Sequence, residues 1–231
     1  MRRRKFTSGL AMVGGLGGLA AWPSARAGGL TESDAALGVR AALERGATAA
    51  VALLGRTGGF LNNPKVRIPL PGILDDAAGL LRMTGQQQRV DELVTAMNRA
   101  AEMAVPQAKN LLVNAVKAMS VEDARQILTG GDDSVTRFFA GKTRASLSVT
   151  FLPTVTRATQ KVSLAGKYNA VAGKAAGFGL LKKEDANIEQ YVTAKALDGL
   201  YLMIGEEERK IRRDPVGTGS ALLQKVFGAL K

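Results

Sequence analysis

YVTAKALDGLYLMIG, from Tyr191 to Gly205, decides the fold. On a 3.6-residue repeat its apolar residues run almost all the way round, interrupted by Lys195 and Asp198 on one face. A helix apolar on every side is a buried one, so the sequence predicts a bundle built around this segment. Asn187-Ile188-Glu189-Gln190 is a capping-box-like start, and the chain reaches Pro215 just after Asp214, which sets the buried helix at about 188–213.

Outward from there, helical periodicity fills most of the chain. Residues 33–56 place Val39, Leu43, Ala47, Ala50 and Leu54 on one face, with Ser33 as N-cap and Gly55 and Gly58-Gly59 as stops. A short helix over 73–82 precedes a longer one over 86–103, whose stripe is Val90, Leu93, Val94 and Met97. Pro106 breaks or restarts that run, which continues to Met119. Ser120-Val121-Glu122-Asp123 resembles a capping box with Asp in place of Glu and opens a helix to Leu128. Gly130-Gly131 stops it, and Asp132 or Asp133 caps a helix towards Val162 with Pro153 inside. Residues 163–185, with Gly166, Gly173, Gly177 and Gly179, are expected to be broken helix, and a short helix over 221–230 ends the chain. The fold class is all-α: an irregular bundle of about seven to nine helices around the buried one.

One stretch breaks the pattern. In GGFLNNPKVRIPLPG, Gly58 to Gly72, Val66, Ile68 and Leu70 alternate with Lys65, Arg67 and Pro69, so an extended chain turns three apolar side chains inward. Pro64, Pro69 and Pro71 stiffen it and deny it a full place in a sheet. The segment reads as a strap over the bundle, with the Asn62 and Asn63 amides bonding local backbone. A lid or ligand-contacting loop, using Phe60, Asn62, Asn63, Pro64, Arg67, Pro69 and Pro71, is the other reading, since a loop of about 15 residues without its own secondary structure is uncommon.

The N-terminus is set apart from the fold. A basic start (Arg2 to Lys5), a modest apolar run from Leu10 to Trp22 and Ala25-Arg26-Ala27 form an export signal cleaved after Ala27. The apolar run is too short and glycine-rich to span a membrane. Arg3, Arg4 and Phe6 resemble the core of a twin-arginine signal. Domain 28–231 is then a single all-α unit of 204 residues, predicted to be periplasmic and soluble, carrying +7 of the full chain's +12.

Missing residue types exclude more chemistry than any motif supplies. With no Cys and no His there is no disulfide, no thiol nucleophile, no Ser-His-Asp triad and no ordinary zinc site. No catalytic residue, metal ligand or cofactor is assigned. Glu206-Glu207-Glu208 reads as a solvated face paired Glu206 to Lys210 and Glu208 to Arg212, and Asn98, Arg99 and Glu102 as a polar contact within the bundle. Between Asp133 and Glu184 there is no acid, while Arg137, Lys142, Arg144, Arg157, Lys161, Lys167, Lys174, Lys182 and Lys183 contribute nine positive charges. Lysines mixed with Tyr168, Phe178, Leu180 and Leu181 have the composition of segments at an anionic membrane surface; a solvated flank is the plainer alternative. Nucleic acid is disfavoured as a partner for an exported protein.

FLNNPKVRIPLPG, MNRAAEMAVPQAK, ILTGGDDSVTRFF and KALDGLYLMIGEEERKIR together resemble, across nearly the whole of 28–231, the bacterial domain-of-unknown-function family numbered 4197. The resemblance implies an exported helical protein and brings no catalytic residue with it. The expected function is a non-enzymatic binding or adaptor protein of the cell envelope, using the 137–183 face on anionic lipid or an acidic envelope protein. Two alternatives stay open: a carrier of an apolar or lipid ligand between helices, gated by the strap, and a carboxylate-dependent enzyme.

Overall fold

The computed structural model describes residues 32–131, 133–179, 185, 187–214, 217 and 224. Among them the chain is all-α, in the order α1 (Glu32–Leu54), α2 (Gly72–Met83), α3 (Gln87–Ala104), a 3-10 turn (Val105–Ala108), α4 (Lys109–Lys117), α5 (Val121–Thr129), α6 (Ser134–Thr159), α7 (Ser163–Gly177) and α8 (Ile188–Arg213). The expected signal over 1–27, the terminal helix over 221–230 apart from Gln224, and Asp132, Lys182 and Lys183 lie outside the described residues.

The hub is α8. It begins where Asn187 caps it, the side chain accepting from the Gln190 N–H at 2.8 Å. It packs mainly on α1 and α6, with Val192, Ala196, Leu197, Leu200 and Ile204 fully enclosed. Enclosure is not complete, as the all-round apolar pattern implied. Lys195, Asp198 and Leu202, spaced i, i+3, i+7, remain on an open face.

Small residues set the α1 contact. Val39, Leu43, Ala47, Ala50 and Leu54 are all buried as the periodicity predicts, and a Cβ on Gly46 would already lie 3.6 Å from Glu207 Cβ on α8. In α6 the buried positions recur every four residues, from Val135 through Phe139, Thr143, Leu147, Phe151 and Val155 to Thr159. Four residues turn about 400°, so this stripe drifts around the helix by roughly 40° per step. One helix therefore packs against α8, α3, α4 and α5.

Three local expectations are corrected. Ser33 lies inside the first turn of α1, which starts at Glu32, so it is not the cap. Asp133 precedes α6 but makes no capping bond, because its carboxylate takes Arg137 at 2.7 Å instead. Residues 163–177 form one unbroken helix rather than a broken one. Gly166 and Gly173 sit on its open side, and each costs about 1 kcal/mol of helix propensity. Burial of Leu164, Ala165, Tyr168 and Ala172 on the other side outweighs that. The break comes later, at Gly179, whose φ of 74° an L side chain resists. By contrast, the Ser120/Asp123 capping box is present in full.

Candidate functional site

The strap is tied to α3 and α8 along most of its length. Its first part is turns rather than extended chain, closed by Asn62 N–H to Gly58 C=O and Arg67 N–H to Asn63 C=O. From Val66 onward it alternates: Val66, Ile68 and Leu70 are buried, while Lys65, Arg67 and Pro69 are exposed. Phe60 and Pro71 are also buried, Asn62 and Pro64 exposed, and Asn63 accepts from the Lys65 N–H at 3.2 Å.

Two buried polar side chains of α3 hold it. Asn98 accepts from Ile68 N–H at 2.8 Å and donates to Ile68 C=O at 3.0 Å, so one amide pairs both backbone groups of one residue, as a neighbouring strand would. Glu102 Oε1 accepts from Phe60 N–H and Leu61 N–H, both at 3.1 Å, while Oε2 takes Arg99 at 2.5 Å. Burial pushes the Glu102 carboxyl upward, but hydrogen bonds from Leu61, Arg99, Gly58 and Phe60 outweigh it and hold the group below its ordinary value. From α8, the Tyr191 hydroxyl donates to Pro69 C=O at 3.2 Å. Burial, with the charges of Asp185, Tyr168 and Asp75, pushes that phenol up to about 12, so it stays a donor at neutral pH. Gly199 supplies clearance: a Cβ there would come 2.9 Å from the Phe60 ring and 3.1 Å from Val66 Cβ. At the edge Lys65 pairs with Glu206 at 2.8 Å.

That pairing rearranges the acidic run. Lys210 bonds Glu207 at 2.6 Å, not Glu206, and Glu208, paired with Arg212 at 2.6 Å, is buried rather than solvated. The reason is the close α1–α8 contact at Gly46, which covers this turn of α8.

The described basic residues divide into two groups. On α6, Arg137 pairs with Asp133, Lys142 lies 3.9 Å from Asp123, Arg144 pairs with Asp198 and stacks 5.4 Å over the Tyr201 ring, and Arg157 donates to Thr154. At 100° per residue Arg137 and Arg144 project from one side, and Arg157 from nearly the opposite one. Lys161, Lys167 and Lys174 are exposed and have no ion-pair partner among the described residues. On α7, Lys167 and Lys174 fall on one line with Val171 and with Phe178, which directly follows the helix; the two apolar side chains are 60% and 82% exposed. The spacings of four, three and four residues keep the set within about 60° of arc.

Several surface clefts accompany these groups. One of about 370 Å³ between α5 and α6 brings Arg137 and Lys142 together with Asp123, Gln126 and Phe138. A groove of about 380 Å³ between α6 and α8 is walled by Arg144, Val149, Leu152, Gln190, Thr193 and Ala194. Two openings follow the strap edges, one of about 180 Å³ against Lys195, Asp198 and Leu202 and one of about 370 Å³ between Arg67, Pro69, Asp75 and Arg82. The large apolar side chains of α8, Val192, Leu197, Leu200 and Ile204, line none of these, because they are packed shut; the clefts reach only Thr193 and Gly199 among its buried residues. Each of these clefts carries at most one acid, short of the facing carboxylate pair that sugar hydrolysis requires. Among the described residues no group of three or more acids could hold a metal ion, and no helix is long and apolar enough to cross a membrane.

The sequence model of a family described as a protein of unknown function, DUF4197, matches residues 29–228, and the chain belongs to that family. No curated protein and no solved structure matches it.

Proposed function

We propose that this DUF4197 member is an exported, non-enzymatic binding protein of the cell envelope that rests on an anionic membrane surface through α7. The observation that carries the reading is the line Lys167, Val171, Lys174, Phe178: two cations with no ion-pair partner among the described residues, alternating with two exposed apolar side chains along one side of α7 and the residue that follows it. Two exposed apolar side chains on the same line as two lysines match the composition of a surface that meets anionic lipid. Each lysine contributes about 1 kcal/mol at an anionic surface, and burying Phe178 adds about 2 kcal/mol. Such binding is weak and reversible, and the sequence adds Lys182 and Lys183 a few residues on.

The test is co-sedimentation of residues 28–231 with phosphatidylglycerol and with phosphatidylcholine vesicles at low and physiological salt. Binding to the anionic vesicles should weaken with salt and fall about 30-fold in the Lys167→Gln/Lys174→Gln variant, two charges at about 1 kcal/mol each. Equal binding to both vesicle types, or none at low salt, would reject the reading.

Export supports the same picture through the signal. A helical bundle is rich in local contacts and folds fast enough to be complete before translocation by a route for folded proteins. Replacing Arg3 and Arg4 together with Lys should leave precursor in the cytoplasm, as detected by fractionation. Normal export of that variant would assign the signal to the general route.

A further inference from the structure

We propose that the groove between α6 and α8 binds an aliphatic carboxylate, with the head group at Arg144 and the chain along Val149 and Leu152. The two helices run antiparallel here, since Arg144 meets Asp198 while Thr159 meets Glu189. The groove therefore has a charged end at Arg144 and a neutral end at Gln190, with apolar wall between. Val149 is 75% exposed and Leu152 37%, and Ala194 faces them from α8. Arg144 to Leu152 spans about 12 Å of helix, which suits an extended chain of medium length.

Two observations point to a ligand with an oxygen at its head. Arg144 is the only cation of the lining, no acid lines the groove, and the guanidinium fork keeps donors beyond the one given to Asp198. Thr193, 95% buried in the groove wall, has a hydroxyl with no hydrogen-bond partner. A threonine on a helix has two accessible χ1 wells, one of which turns the hydroxyl onto its own i−4 carbonyl, and an oxygen-bearing ligand in the groove that Thr193 lines would compete with that carbonyl for it. A buried hydroxyl left without either partner is unfavourable, a cost that valine at this position would avoid. This site is separate from the α7 line and stands whether or not α7 meets a membrane.

The experiment titrates residues 28–231 with decanoate and with decan-1-ol, both below micellar concentration, following the methyl NMR signals of Val149 and Ala194. Decanoate should saturate at one per chain and bind at least tenfold more tightly than the alcohol. Arg144→Gln should remove that preference, Asp198→Asn should strengthen decanoate binding severalfold by removing a competing carboxylate, and Val149→Asp should abolish both. Thr193→Val should weaken decanoate while leaving the fold intact. The Lys167→Gln/Lys174→Gln variant should bind decanoate as the parent does, which separates this site from the membrane reading. Equal affinity for acid and alcohol, indifference to Arg144→Gln, or no saturable shift at these methyls would overturn the proposal.

Discussion

Asn98→Leu will lower the unfolding free energy by about 3–5 kcal/mol, a large share of the 5–15 kcal/mol typical of a domain. Leucine keeps the same branching and is larger, so the loss is not a cavity. Ile68 N–H and Ile68 C=O, both paired by Asn98 in a buried setting, are left with no partner, and each orphan costs about 1–3 kcal/mol. The strap cannot recover them by turning outward without exposing Ile68, which is itself worth about 2 kcal/mol buried. Urea melts give the magnitude. Amide exchange gives the mechanism: in the parent protein the Ile68 N–H should exchange only through large-scale opening, and in the variant the whole stretch from Val66 to Leu70 should exchange rapidly. An Ile68 amide already fast in the parent, with a loss under 1 kcal/mol in the variant, would mean that this segment works as a lid.

The helices were legible because burial and periodicity agree in most of them. In α1 the predicted face is the buried face, residue for residue, and at Ser120 the capping box needed only its four-residue signature. Propensity misled where tertiary contact outweighed it: glycines in α7 suggested breaks, yet one buried side of Leu164, Ala165, Tyr168 and Ala172 keeps the helix whole. The alternation in the strap showed which side chains turn inward, but not what they meet. Asn98, Arg99 and Glu102 read as a polar contact within the bundle, and only the crossing of strap over α3 assigns Asn98 and Glu102 their backbone partners. The α6–α8 groove was missed altogether. Its signal was present in a weak form, because Val149 and Leu152 are apolar residues off the four-residue stripe that α6 buries. Off-stripe apolar residues are common on surfaces, and what gives these two meaning is Arg144 and the unpartnered Thr193 beside them.

Glu102→Gln should destabilise the protein by about 3 kcal/mol at pH 7, and the loss should shrink as the pH is lowered. Glutamine can still accept from Phe60 N–H and Leu61 N–H through its oxygen, but it then presents an NH₂ to the Arg99 guanidinium, donor against donor. A charge-assisted bond of about 1.5–3 kcal/mol is replaced by a repulsion, with the half-exposed Arg99 screening part of it. The pH dependence follows from the direction of the Glu102 shift. Its folded-state value is held below the ordinary 4.5, so the carboxylate contributes stability that is fully present above 4.5 and is lost as pH falls through the folded value. The variant has no such group to protonate. Its stability curve should therefore run below that of the parent at neutral pH and converge with it in acid, where the parent too presents a protonated side chain to Arg99. Urea midpoints at pH 7 and pH 3 decide this. Two curves that stay parallel across that range would show that Glu102 anchors the strap through shape and neutral hydrogen bonds alone, with its charge adding nothing.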